Sequence, residues 1–101
     1  MKKSIFEVVS ERKNGDSFSK WFFNEDVADS FAKSELDYLT ESERKASELR
    51  IIEYKVEVPE DYSETAEQFV TDLSNGDVES VEYDECLGSF SDSCQVNVKV
   101  I

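Results

Sequence analysis

The sequence predicts an α+β fold: a single domain over residues 1–101 in the order β-β-α-β-α-β-β, with a largely antiparallel sheet and the helices on one face. Three observations carry this expectation. Asn14-Gly15 lies between two apolar-alternating runs, a strong hairpin signal because both turn residues must accept positive φ. Two later segments repeat apolar residues at helical spacing, and three more alternate with a period of two. A chain of 101 residues suffices for one core but not for a core plus a second domain.

The hairpin strands are expected over Ser4–Glu11 and Ser17–Phe23. Pairing outward from a two-residue turn sets Phe6 opposite Phe23 and Val8 opposite Trp21, all four on one face. Phe22 then stands on the outer face near Val9 and Lys20. A helix follows from about residue 25 to 40, with Asn24 as its cap and Glu25 and Asp26 at the positive end of its dipole. Its apolar positions are Ala28, Phe31, Ala32, Leu36 and Leu39. Thr40 with Glu43 forms a capping box for a short helical piece through Ser47.

"LRIIEYKVEVP" reads as a strand, with Ile52, Tyr54, Val56 and Val58 on one side and Pro59 as its stop. A second helix is expected from Asp61, with Glu64 three residues on. Its buried stripe is Tyr62, Ala66, Phe69, Val70 and Leu73, and Asn75-Gly76 forms its C-terminal cap. Val81 and Tyr83 then share one face of a strand whose other face carries Glu82 and Asp84. "CQVNVKVI" is the last strand, where Cys94, Val96, Val98 and Val100 alternate with polar residues.

Charge is distributed unevenly. The chain has 24 acids against 11 bases, a formal net charge of −13, which repels nucleic-acid phosphates and anionic lipid and favours partners with basic surfaces. From Val56 to Val98 there are twelve acids and no Lys or Arg. Glu60, Glu64 and Glu67 have the spacing of one outer helical stripe. Asp61, Asp77, Glu79 and Glu85 join Glu82 and Asp84 in the same acidic half. Carboxylates several ångströms apart repeat the spacing of a phosphate backbone, so such a surface can enter a groove built for phosphates.

Most chemistry is disfavoured. Without histidine, and with only Cys86 and Cys94 as soft ligands, a zinc site is not expected. The glycine positions do not fit a calcium loop, and neither thiol has a histidine to activate it. No phosphate loop or dinucleotide motif is present. The expectation is a protein that is not an enzyme and needs no cofactor. Residues 1–13 have an apolar run cut by Glu7, which does not make a secretory segment, and the protein reads as cytoplasmic.

In size, charge and class the chain resembles the small acidic phage-encoded inhibitors of host defence, the anti-restriction and anti-CRISPR proteins. The resemblance implies a target such as a nuclease, a guide-RNA effector complex or a DNA-binding factor, occupied by nucleic-acid mimicry. The residues expected to meet it are Glu60, Asp61, Glu64, Glu67, Asp77, Glu79, Glu82, Asp84 and Glu85. A second expectation is a small accessory or adaptor domain that assembles, as a homodimer or with a partner, through an apolar patch at Phe22. In that reading the acids only solubilise.

Overall fold

The computed structural model describes residues 1–12, 15–84 and 86–101. A four-stranded antiparallel sheet forms its centre, in the order β2-β1-β3-β6. The strands are β1 (Lys2–Arg12), β2 (Ser17–Phe22), β3 (Ser47–Glu57) and β6 (Gln95–Val100). Between β2 and β3 lie α1 (Glu25–Tyr38) and the short α2 (Glu41–Lys45). α3 (Ala66–Asn75) follows β3, and a two-stranded ribbon of β4 (Tyr83–Asp84) and β5 (Ser89–Phe90) follows α3. The α+β class and the antiparallel sheet are as the sequence predicts.

The helices do not share one face. α1 packs Ala28 and Ala32 against Phe6, Val8, Leu49 and Ile51, with Phe22, Phe31 and Leu36 around them. α3 packs Ala66, Phe69 and Leu73 on the opposite side, against Ile5, Trp21, Tyr54 and Val56. The cause is written into the strands. Ile5-Phe6 and Val8-Val9 in β1, and Ile51-Ile52 in β3, put apolar residues on both sides of the sheet, and one helical layer would leave half of them in water. Each side chain buried this way contributes about 1.5–3 kcal/mol, enough to dictate the layering.

The hairpin register also departs from expectation. Phe6 stands opposite Phe22 and Val8 opposite Lys20, one residue away from the predicted pairing. Arg12 N–H donates to the Asp16 carbonyl (2.9 Å) and Gly15 N–H to the Arg12 carbonyl (3.1 Å), with Gly15 at φ 93°. The connection therefore holds three residues rather than two, and a one-residue slip exchanges the faces. Trp21 thus joins the α3 side, while Phe22 lies under α1 with its ring 5.4 Å from Phe31. Of the predicted turn, Asn14 lies outside the described residues.

The caps of α1 and α2 follow the sequence reading. The Asn24 side chain accepts Val27 N–H at 3.1 Å, and Thr40 and Glu43 close both bonds of the capping box. α3 starts later than expected. The Pro59 carbonyl takes Tyr62 N–H at 3.0 Å, which spends Asp61 in a turn, and Thr65 becomes the cap by accepting Gln68 N–H at 3.1 Å. Gly76 at φ 79° ends the helix, with Asp77 N–H returning to the Asp72 carbonyl at 2.9 Å.

Candidate functional site

The acid-rich half of the sequence becomes one physical layer. α3 is fastened to the sheet by Phe69, which is fully buried and touches Phe23 and Tyr62 ring to ring at 6.0 and 5.2 Å. The β4–β5 ribbon is fastened by Phe90, whose ring lies 5.5 Å from both Trp21 and Tyr54. The Tyr83 hydroxyl bonds the Ser74 hydroxyl at 2.8 Å, joining ribbon to helix. Tyr62, Ala66, Phe69, Val70, Leu73, Val78, Tyr83 and Phe90 therefore all pack on the same side of the sheet, and in sequence the stretch from Pro59 to Ser93 contains no Lys or Arg.

The expected contact residues divide into two groups. Glu60 and Asp61 in the turn, Glu64 just before the α3 cap, and Asp77 and Glu79 just after α3 are all exposed. The ten residues of α3 span about 15 Å, and these carboxylates flank the helix in sequence, three before its first residue and two after its last. Glu60, Glu64 and Glu67 do not form a helical stripe, because two of the three precede the helix.

The other residues serve the fold. Glu67 turns inward and accepts the backbone N–H of Trp21 at 2.7 Å. Asp84 accepts the N–H groups of Cys86 (2.9 Å) and Leu87 (3.4 Å) and shapes the ribbon's turn. Glu82 is answered from far along the chain: Lys2 Nζ reaches it at 2.6 Å and Ser80 donates at 2.6 Å. Burial alone would push the Glu82 carboxyl up, but these bonds, with backbone N–H groups, outweigh it and hold the group at about 2. Glu85 lies outside the described residues.

Sequence reasoning did not single out Asp72, which accepts from the Tyr62 hydroxyl at 2.8 Å and Gln68 Nε2 at 2.7 Å. The Gln68–Asp72 spacing of four residues was the available signal. Burial and the bond to Asp72 push the Tyr62 phenol upward.

Chemical options on this layer are few. Among the described residues no three His, Cys, Asp or Glu side chains are grouped to hold a metal ion. Cys94 is buried with its thiol donating to the Ser91 carbonyl at 2.9 Å, and Cys86 is exposed; both are free. An open hollow of about 460 Å³ beside Leu73, Val78, Glu79 and Tyr83 has no partnered acid and base across it. Beside Phe22, an apolar cleft of about 370 Å³ opens between Trp21, Phe23, Val27 and Ala66. The Phe22 ring packs on Phe31 of α1 and is half-buried, and it also lines this cleft, so an apolar opening does lie at that residue. Among the described residues no helix is long and apolar enough to cross a membrane.

No family model, curated protein or solved structure matches the chain.

Proposed function

We propose that this is a non-enzymatic, cytoplasmic interaction protein of the phage anti-defence kind, whose acidic layer occupies a basic nucleic-acid-binding groove on a target protein. The target class is a nuclease, a guide-RNA effector complex or a DNA-binding factor. The observation that carries the reading is the one-sidedness of the charge. Eleven acids and no base lie between Pro59 and Ser93 in the sequence, and the apolar residues of that stretch anchor it to one side of the sheet. A solubilising surface mixes signs to avoid self-repulsion, whereas this layer keeps its acids together. The exposed carboxylates flank a helix about 15 Å long, a length comparable with a DNA groove about 12 Å wide.

The contact set follows from the partners already engaged. Among the expected contact residues, Glu60, Asp61 and Glu64 before α3, and Asp77 and Glu79 after it, are exposed and accessible to a target. Glu67, Glu82 and Asp84 position the layer. Attraction to a positive cleft would steer the encounter and weaken steeply with salt.

The test is affinity capture from a bacterial lysate in low and in moderate salt, followed by mass spectrometry. A nucleic-acid enzyme retained at low salt, displaced by DNA or RNA, and lost in the variant Glu60→Gln, Asp61→Asn, Glu64→Gln is the expected result. Capture that ignores both salt and that variant would overturn the reading.

A further inference from the structure

The two edges of the central sheet are treated differently. At β2 the outward-pointing N–H of Trp21 is closed off by the Glu67 carboxylate, while Ser17–Lys20 are exposed. At β6 the outer edge is open, and every residue of the strand is exposed. Natural edge strands are usually blunted by proline, inward charge or a covering element. β6 has no proline, and its one charge, Lys99, is drawn onto Asp29 of α1 at 2.9 Å. The register steps from Glu53↔Asn97 to Tyr54↔Gln95, so Val96 is an extra, bulged residue and the regular edge runs from Asn97 to Val100.

The hydrogen-bond phase of β6 follows from its end. Ile101 N–H donates to the Leu49 carbonyl at 2.8 Å, so with the register Ile51↔Lys99 and Glu53↔Asn97 the inward-bonding residues are Ile101, Lys99 and Asn97. Val98 and Val100 therefore direct their backbone groups away from β3. Val98 stands opposite Ile52, so its side chain lies on the α3 side of the sheet, beyond the reach of α3 and the ribbon. Val96, Val98 and Val100 are 55, 44 and 67% exposed.

We infer that β6 is a self-association edge, on which a second copy of this chain pairs antiparallel, β6 to β6, to give a continuous eight-stranded sheet in a two-fold dimer. The strand's own pattern names the occupant. Val96-Asn97-Val98-Lys99-Val100 reads valine, polar, valine, polar, valine about Val98. A dyad at Val98 sets Val98 against its own copy and Asn97 against Lys99, with the bulged Val96 beside the partner's end of the strand. The open backbone groups of Val98 pair with each other, Val98 and Val100 of each copy share one face, and no lysine faces a lysine. A dyad at Lys99 would bring the two ammonium groups together.

Charge agrees. Residues 93–101 contain no acid and one base in a chain of net −13, so a second copy can approach there without meeting carboxylates on the strand itself. Two bodies of −13 still repel at long range. Added salt should therefore strengthen this association, the opposite sign to target binding by the acidic layer. The dimer stands independently of that layer's role.

The experiment is sedimentation velocity of the full chain across micromolar to millimolar concentration, in low salt and in about 0.5 M NaCl, where the Debye length falls to only a few ångströms. Reductant is kept present so that Cys86 forms no cross-link. The expected result is a reversible monomer–dimer equilibrium, with dimer increasing with NaCl and lost in Val98→Lys at unchanged circular dichroism. Hydrogen exchange on the unmodified chain gives a second readout: the amides of Val98 and Val100 should become protected as the dimer forms. A monomer throughout, a dimer that leaves those amides unprotected, a Val98→Lys chain that is folded and still dimeric, or assemblies growing beyond the dimer would each overturn the proposal.

Discussion

The carboxylate of Glu67, in the first turn of α3, accepts the backbone N–H of Trp21, in the edge strand β2, at 2.7 Å. One contact thereby closes the outward N–H near the end of β2 and ties the helix to that edge of the sheet. Glu67→Ala should destabilise the fold by about 1–3 kcal/mol, the cost of losing a charge-assisted bond and leaving a half-buried N–H unpaired. Glu67→Gln should cost less, because its amide oxygen still accepts. Urea unfolding of the two variants measures the difference, and equal midpoints for Glu67→Ala and the parent would refute the role.

The Lys2–Glu82 pair makes acid stability predictable in sign. The Glu82 carboxyl titrates at about 2 when folded, against an ordinary 4.5. Its contribution is fully present above 4.5 and is lost as pH falls toward 2. We expect about 1–2 kcal/mol from this group, held below the full shift because Lys2 is open to solvent. Thermal melts of the parent and of Glu82→Gln between pH 5 and pH 2 should converge as the pH falls.

Glu7 has the opposite sign. Burial raises its carboxyl above the ordinary value, against hydrogen bonds from Ser19 and Tyr54 and the charge of Arg50. A carboxylate raised in the folded state weakens the fold above its folded pKa, and that penalty fades as pH falls through it. Glu7→Gln should therefore be more stable than the parent at pH 7, with the advantage shrinking in mild acid. The amide can still accept the Tyr54 hydroxyl, now 3.2 Å from the carboxylate. A variant less stable at pH 7 would show that the bonds outweigh burial.

Phe69 is the anchor of the acidic layer. Phe69→Ala removes a fully buried ring and should cost about 3–5 kcal/mol. Calorimetry gives the loss, and a change below 1 kcal/mol would mean that α3 is held by something else.

The sequence revealed the elements better than their relationships. Asn24, Thr40, Glu43 and Gly76 are local signals, satisfied within a few residues, and each caps where it was expected to. The hairpin register was off by one because a single extra residue in the connection is invisible to composition yet exchanges every side chain between faces. The start of α3 was misplaced because Asp61 and Thr65 both have capping chemistry, and the turn closed by Pro59 and Tyr62 decided between them. The answer to Glu82 lay at Lys2, and no local pattern connects residues so distant. The twin apolar positions of β1 did announce a sheet covered on both sides, but a one-layer arrangement was the simpler inference from two helices.

The place of β1 in the strand order has a kinetic consequence. β1 is flanked by β2, its neighbour in sequence, and by β3, which arrives only after the chain has passed through β2, α1 and α2. The hairpin can form early and locally, whereas the eleven-residue pairing from Lys2↔Glu57 to Arg12↔Ser47 must first close a long loop. Neither helix can be properly seated before that pairing exists, since both rest on surfaces to which β1 and β3 contribute together. Both outer layers therefore rest on the joining of these two central strands.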